Sequence, residues 1–191
     1  MSNTIVQISN TIVAPLTVSE KTTNTVQESV PEANNDLKEK SRWINCSFKN
    51  ATQFNYTVVN SYFSSGRYWK APEGNGPFSS MSFSCCNGDN AVAGVSGGTA
   101  FSLWLDSKQS FDFAVGWTNP LLGSIKAGVV ESANPEAGYE AAHREGGHIR
   151  SKNFYIGKDE KGNTMKFYIQ VSASPGNDPM SFVVQQVAAE D

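Results

Sequence analysis

From residue 43 onward the chain is written in short runs of β-branched and aromatic residues, and this narrows the possible folds more than any other feature. The runs are "RWINCSFKN", "FNYTVVNSYF", "MSFSCC", "GTAFSLWL", "SFDFAVGW", "SIKAGVV", "KNFYIG", "TMKFYIQVS" and "MSFVVQQV". Gly, Pro, Asn or Asp clusters bound each of them, and "LDSKQS" and "KDEKGNT" read as hairpin turns. In the first run Trp43, Asn45 and Ser47 fall on one face and Ile44, Cys46 and Phe48 on the other. This alternation is that of strands with one face turned to a core. The pattern predicts an all-β fold, an antiparallel β-sandwich with one or two short flanking helices.

The one helical signal is "NPEAGYEAAHREGGH", residues 134–148. Proline near the start, an early glutamate, internal alanines and a Gly-Gly stop predict a helix of about three turns. Residues 1–42 read differently. They hold no aromatic residue, and an aliphatic stretch, "TIVQISNTIVAPLTV", leads into a polar run. Ile8, Ile12, Val13 and Leu16 have helical spacing, although Pro15 and the β-branched content oppose a helix. The division predicted is a flexible or conditionally helical arm over 1–42 and a β-sandwich recognition domain over 43–191. Trp43, Phe48, Phe101, Phe111 and Phe113 sit on alternating strands and are assigned to the core.

Several function classes lack their residues. Charged residues make up 17% and the net charge is -3, so there is no basic footprint for nucleic acid. His143 and His148 are the only histidines, and no G-x-S-x-G or H-E-x-x-H motif accompanies them. "GDNAVAGVSGG", residues 88–98, lacks a P-loop lysine and reads as a loop. No Cys/His spacing fits a zinc site. The expectation is a non-enzymatic binding protein with no cofactor and no metal. No unbroken apolar run is long enough to span a bilayer, and the N-terminus lacks the pattern of a secretory leader. A cytoplasmic protein, or one released without a leader, is expected. Cys46, Cys85 and Cys86 are expected as free thiols, with Cys85 and Cys86 on opposite faces of a strand.

"NSYFSSGRYWKAP", residues 60–72, raises the question of function. Tyr62, Phe63, Tyr68 and Trp69 surround a turn containing Ser64 and Ser65. Aromatic rings offer sugars or headgroups an apolar face and a polar edge, but they also pack beneath loops. The residues alone leave both uses open. At the end of another run, Trp117, Thr118 and Asn119 precede Pro120, where strand pairing should stop and a polar strand end should open into a loop.

Three segments, "NSYFSSGR", "GVSGGTAFSLWLDSKQSFDFAVGWTNP" and "KNFYIGKDEKGNTMKFYIQVSASPGND", resemble the superfamily of actinoporins and fungal fruit-body lectins over residues 43–187. Likeness to actinoporins implies a membrane-binding, pore-forming cytolysin. Its headgroup hydroxyls would fall on Ser65 and Thr118, its proline on Pro120 and one tyrosine on Tyr139. The tyrosine and tryptophan cluster of that family is replaced here by "LLGSIKAGVV". Likeness to the lectins implies a soluble, defence-type glycan binder. Its sugar contacts would fall on Asn119, on a serine-glycine turn at Ser96 and Gly97, and on Arg144. Residues of the second sugar site of those lectins fall on Ile125, Gly128 and Phe154. The resemblance favours a carbohydrate- or glycolipid-binding protein, with a pore-forming cytolysin as the alternative. The implied partner is a glycan, glycolipid or lipid headgroup, at a membrane surface in some settings, with homo-oligomers possible in either branch.

Overall fold

A computed structural model describes residues 4–13 and 32–189. It is an all-β sandwich of two sheets with two short helices. The strands are β1 (Ile5–Gln7), β2 (Trp43–Ala51), β3 (Asn55–Ser65), β4 (Arg67–Lys70), β5 (Ser79–Cys86), β6 (Val95–Trp104), β7 (Ser110–Asn119), β8 (Lys126–Val130), β9 (His148–Arg150), β10 (Phe154–Lys158), β11 (Thr164–Ser174) and β12 (Met180–Ala188). The helices are α1 (Asn35–Lys38) and α2 (Pro135–His143). One sheet runs β1-β10-β11-β12-β2-β5-β4, with β9 pairing part of β11, and the other runs β3-β6-β7-β8. The predicted strand runs all form strands, whereas β1, β4 and β9 are too short to stand out in the sequence. The pairing is not wholly antiparallel, because β1 joins β10 and β12 joins β2 in parallel.

The core is aromatic. Phe48 stacks on Phe101 at 4.8 Å between ring centroids, Phe101 on Phe113 at 5.5 Å, and Phe83 lies 5.6 Å from Trp117. Each of these rings is buried, as the alternation required. Trp43 departs from its core assignment. It is half-buried and packs on a satellite cluster of Ala33, Leu37 and Cys86, because its place in β2 turns it to the outer face. Cys85 joins the main core and Cys86 the satellite, so the neighbouring cysteines point apart; all three thiols are free and buried.

The N-terminal segment does not follow its helical spacing. Ile5–Gln7 is a strand, Ile8 and Ile12 are buried in the main core, and Val13 is exposed. Pro15 and Leu16 lie outside the described residues. Pairing with β10 satisfies backbone groups that a short isolated helix could not. Asp106, in the β6–β7 turn, holds the segment further: its carboxylate accepts the Ser9 amide at 2.8 Å and the Ser9 hydroxyl at 3.1 Å. Burial works against that charge. The amides of Ser9, Lys108 and Gln109, with the Ser9 hydroxyl, outweigh it and hold the carboxyl below the usual aspartate range. Among the described residues, no helix is long and apolar enough to cross a membrane.

Helix α2 lies across the outer face of the four-stranded sheet. Asn134 caps it by accepting the Glu136 amide at 3.1 Å, and Pro135 occupies its first turn. It can lie so close because Gly98, Gly116 and Gly128 stand side by side on β6, β7 and β8. A Cβ on Gly116 would collide with the Gly138 carbonyl of the helix, and one on Gly128 with the Ala142 amide nitrogen. Backbone therefore meets backbone over this ladder of glycines.

Candidate functional site

The backbone register assembles the site. On the outer face, the row beyond the glycine ladder pairs Ser65 with Ser96, Ser96 with Thr118, and Thr118 with Lys126. A register shift between Phe63 and Ser65 makes Ser64 the extra residue of a bulge. Without it Ser65 would face inward. With it, Ser65 shares a face with Tyr62, which pairs with Gly98. Thr118 is buried, and Ser65 and Ser96 are half-buried. None of these hydroxyls takes a side-chain hydrogen bond from the described residues. They form a polar floor across adjacent strands.

Aromatic groups border this floor. The Tyr62 ring lies 5.5 Å from that of Tyr139, which α2 carries over the sheet. The Tyr139 hydroxyl and His143 Nε2 are 3.0 Å apart, and their rings meet edge to face. Lys126 closes the row with an ion pair to Glu145 at 3.0 Å. Lys126, His143 and Glu145 were not legible as site residues, since only the register and the helix direction bring them here.

Alternation divides the aromatic stretch that opened the question. Phe63 and Tyr68 turn inward, meeting edge to face at 4.8 Å, and Phe63 lies 5.7 Å from Trp117. The Tyr68 hydroxyl bonds to Ser61 at 2.6 Å and also to Thr99, and burial raises its pKa. Tyr62 and Trp69 stay outside. Gly66 makes the corner between β3 and β4 with φ +82°, and a Cβ there would come 2.5 Å from the Cys86 carbonyl oxygen.

Trp69 belongs to a separate surface. It lies on β4, in the other sheet, with Lys40 Nζ at 5.5 Å and Arg67 at 5.7 Å from its ring centroid. Asp89 bridges the same two cations at 2.6 and 3.5 Å. The remaining candidates scatter. Ser96 and Gly97 sit inside β6 instead of in a turn, and Gly97 is buried against β3. Asn119 donates its side-chain amide to the Trp43 carbonyl at 2.9 Å. The Pro120 carbonyl accepts Arg42 Nε at 3.0 Å. Arg144 is exposed at the end of α2 and pairs with Glu140 at 3.6 Å. Thus Tyr62, Ser65, Ser96, Thr118 and Tyr139 come together, and Trp69, Gly97, Asn119 and Arg144 do not join them.

Near the floor, the loop 120–125 carries Leu121 and Leu122, and the loop 87–94 carries Val92. Leu122 is 91% and Val92 89% exposed. Arg42 fastens the first loop through the Pro120 and Leu121 carbonyls. A Cβ on Gly94 would come 2.9 Å from the Pro120 Cα, so the two loops touch.

Solved structures similar to the chain include the lipid binding protein Nakanori, at 14% identity and TM-score 0.46, covering 78% of this chain and 71% of that one. IP-1A from Alcaligenes faecalis is similar at 14% identity and TM-score 0.43, covering 79% and 94%. RahU protein, in a complex with a TRIS molecule, is similar at 10% identity and TM-score 0.42, covering 78% and 97%. No protein-family model matches the chain, and no curated protein matches it.

Proposed function

We propose that this chain is a non-enzymatic recognition protein that binds the headgroup of a glycolipid or related glycan at a membrane surface. The observation that carries the reading is the row of hydroxyls on Ser65, Ser96 and Thr118, unpartnered among the described residues, beside the Tyr62–Tyr139 pair. Unpartnered hydroxyls offer both donors and acceptors to sugar or phosphate oxygens, and the rings supply an apolar border. Leu122 and Val92, nearly fully exposed on the adjoining loops, suit the interfacial layer of a bilayer. Pore formation through the N-terminal segment is the second reading. It requires Ile8 and Ile12 to leave the core and Ser9 to leave Asp106, so their burial weighs toward recognition without insertion.

A glycan array run beside vesicle binding and dye-release assays tests the proposal. Phosphatidylcholine vesicles with and without lactosylceramide or sphingomyelin are the probes. Saturable binding to one headgroup without dye release is expected. Dye release would favour the pore former, and absence of binding to the array and to every vesicle would overturn both readings.

A further inference from the structure

The other half of the same outer face, which α2 leaves uncovered, carries a second set of groups. Here Asn55 pairs with Trp104 and Trp104 with Ser110; in the next row Thr57 pairs with Ser102 and Ser102 with Asp112. Trp104 is 42% exposed, yet its indole is not free to swing, because Nε1 donates to Thr57 Oγ1 at 3.1 Å. Asp112 is half-buried, and one oxygen, Oδ1, accepts both Ser102 at 2.6 Å and Ser110 at 3.2 Å. Its Oδ2 takes no hydrogen bond from the described residues. The carboxylate is thus held in place with an unused acceptor on the open face.

We propose that this face is a saccharide-binding platform for neutral pyranoses, distinct from the hydroxyl row. A fixed indole stacks on the C–H face of a sugar ring with little entropy left to lose. Asp112 Oδ2 accepts sugar hydroxyls, and a charged acceptor makes the stronger hydrogen bond. Thr57 and Asp112 stand two inter-strand spacings apart, about 10 Å, which matches one or two sugar rings. The chemistry also selects against other occupants. Trp104 is ringed by Asn55, Thr57, Ser102, Ser110 and Asp112, all polar, so the face lacks the apolar core of a stable protein interface. It presents no cation among these residues, and the Asp112 charge repels acidic sugars.

The test uses the full-length protein labelled with 15N. The indole N–H resonance of Trp104 is assigned by its loss in Trp104→Phe. Lactose, N-acetylglucosamine and N-acetylneuraminic acid are titrated to millimolar concentrations. A saturable shift of the Trp104 resonance with a neutral sugar, and none with the acidic one, is expected. Asp112→Asn keeps an oxygen for the two serines but loses the charged acceptor, and should weaken that titration about tenfold. A Trp104 resonance unmoved by either neutral sugar would overturn the assignment. So would one that moves with protein concentration alone, which marks self-association, and so would equal response to the acidic sugar.

Discussion

The two faces of the four-stranded sheet are built from the same strands and do opposite things. Inward, β6 and β7 present Phe101, Phe113, Val115 and Trp117, which are buried. Outward, alternate residues of those strands are Ser96, Gly98, Ala100, Gly116 and Thr118. The inner face gains stability from large rings. The outer face is stripped of side chains in its middle, where α2 lies on the backbone, and carries polar groups on either side of the helix, the hydroxyl row at one end and Trp104 with Asp112 at the other. On this sheet glycine is as structural as phenylalanine, and function is expected where neither is used.

Truncating the inner face should have the largest effect. Phe113→Ala removes a fully buried ring and should cost ~3–5 kcal/mol, read by chemical denaturation. Removing residues 1–12 comes next. Loss of Ile8 and Ile12 from the core should cost roughly 3 kcal/mol, even though these residues contain no aromatic ring. An unchanged melting temperature after that deletion would show the segment to be an ornament on the fold. Gly116→Ala then breaks the outer face: a single methyl must displace a helix backbone, costing ~1–3 kcal/mol. If Gly116→Ala is neutral, the glycine ladder does not set the helix position.

A pH series reports on how Asp106 holds the docked segment. The Asp106 carboxyl is held below its ordinary value by hydrogen-bond donors. Its contribution is therefore present above the unfolded aspartate pKa of about 3.9 and is lost as pH falls through the lower folded value. The stability gap between the native chain and Asp106→Asn should be constant near neutrality and shrink in acid. A gap that widens in acid would contradict the assignment. The smallest expected effect on stability is at Trp69. At 36% exposure, and outside the aromatic core, Trp69→Ala should change stability by less than about 1 kcal/mol.

The strand runs were legible because alternation and turn residues report directly on a sheet with one buried face, as Phe101 and Phe113 show. α2 was legible for a similar reason, since Asn134, Pro135 and the glycines after His143 mark its ends. The first residues were misleading: Ile8 and Ile12 are spaced for a helix, but pairing with β10 decided their conformation. The site was legible only in part. The aromatic stretch pointed to Ser65, the polar strand end to Thr118, and the resemblance to both, but alternation alone would put Tyr62 and Ser65 on opposite faces. The bulge at Ser64 joins them, and no local signal in "SYFSSG" announces it. Trp69 has the composition of a site residue, yet the corner at Gly66 carries it to the other sheet.

The hydroxyl row is expected to recognise the ligand and to contribute nothing to the fold. The double variant Ser65→Ala, Thr118→Val tests this, because neither hydroxyl has a side-chain partner among the described residues and valine has the shape of threonine. Binding to phosphatidylcholine vesicles with lactosylceramide or sphingomyelin, whichever the native chain prefers, is measured beside the melting temperature. An unchanged or slightly higher melting temperature is expected, with binding weakened about thirtyfold, the equivalent of two hydrogen bonds at about 1 kcal/mol each. Native-like binding by a variant of unchanged stability would contradict it.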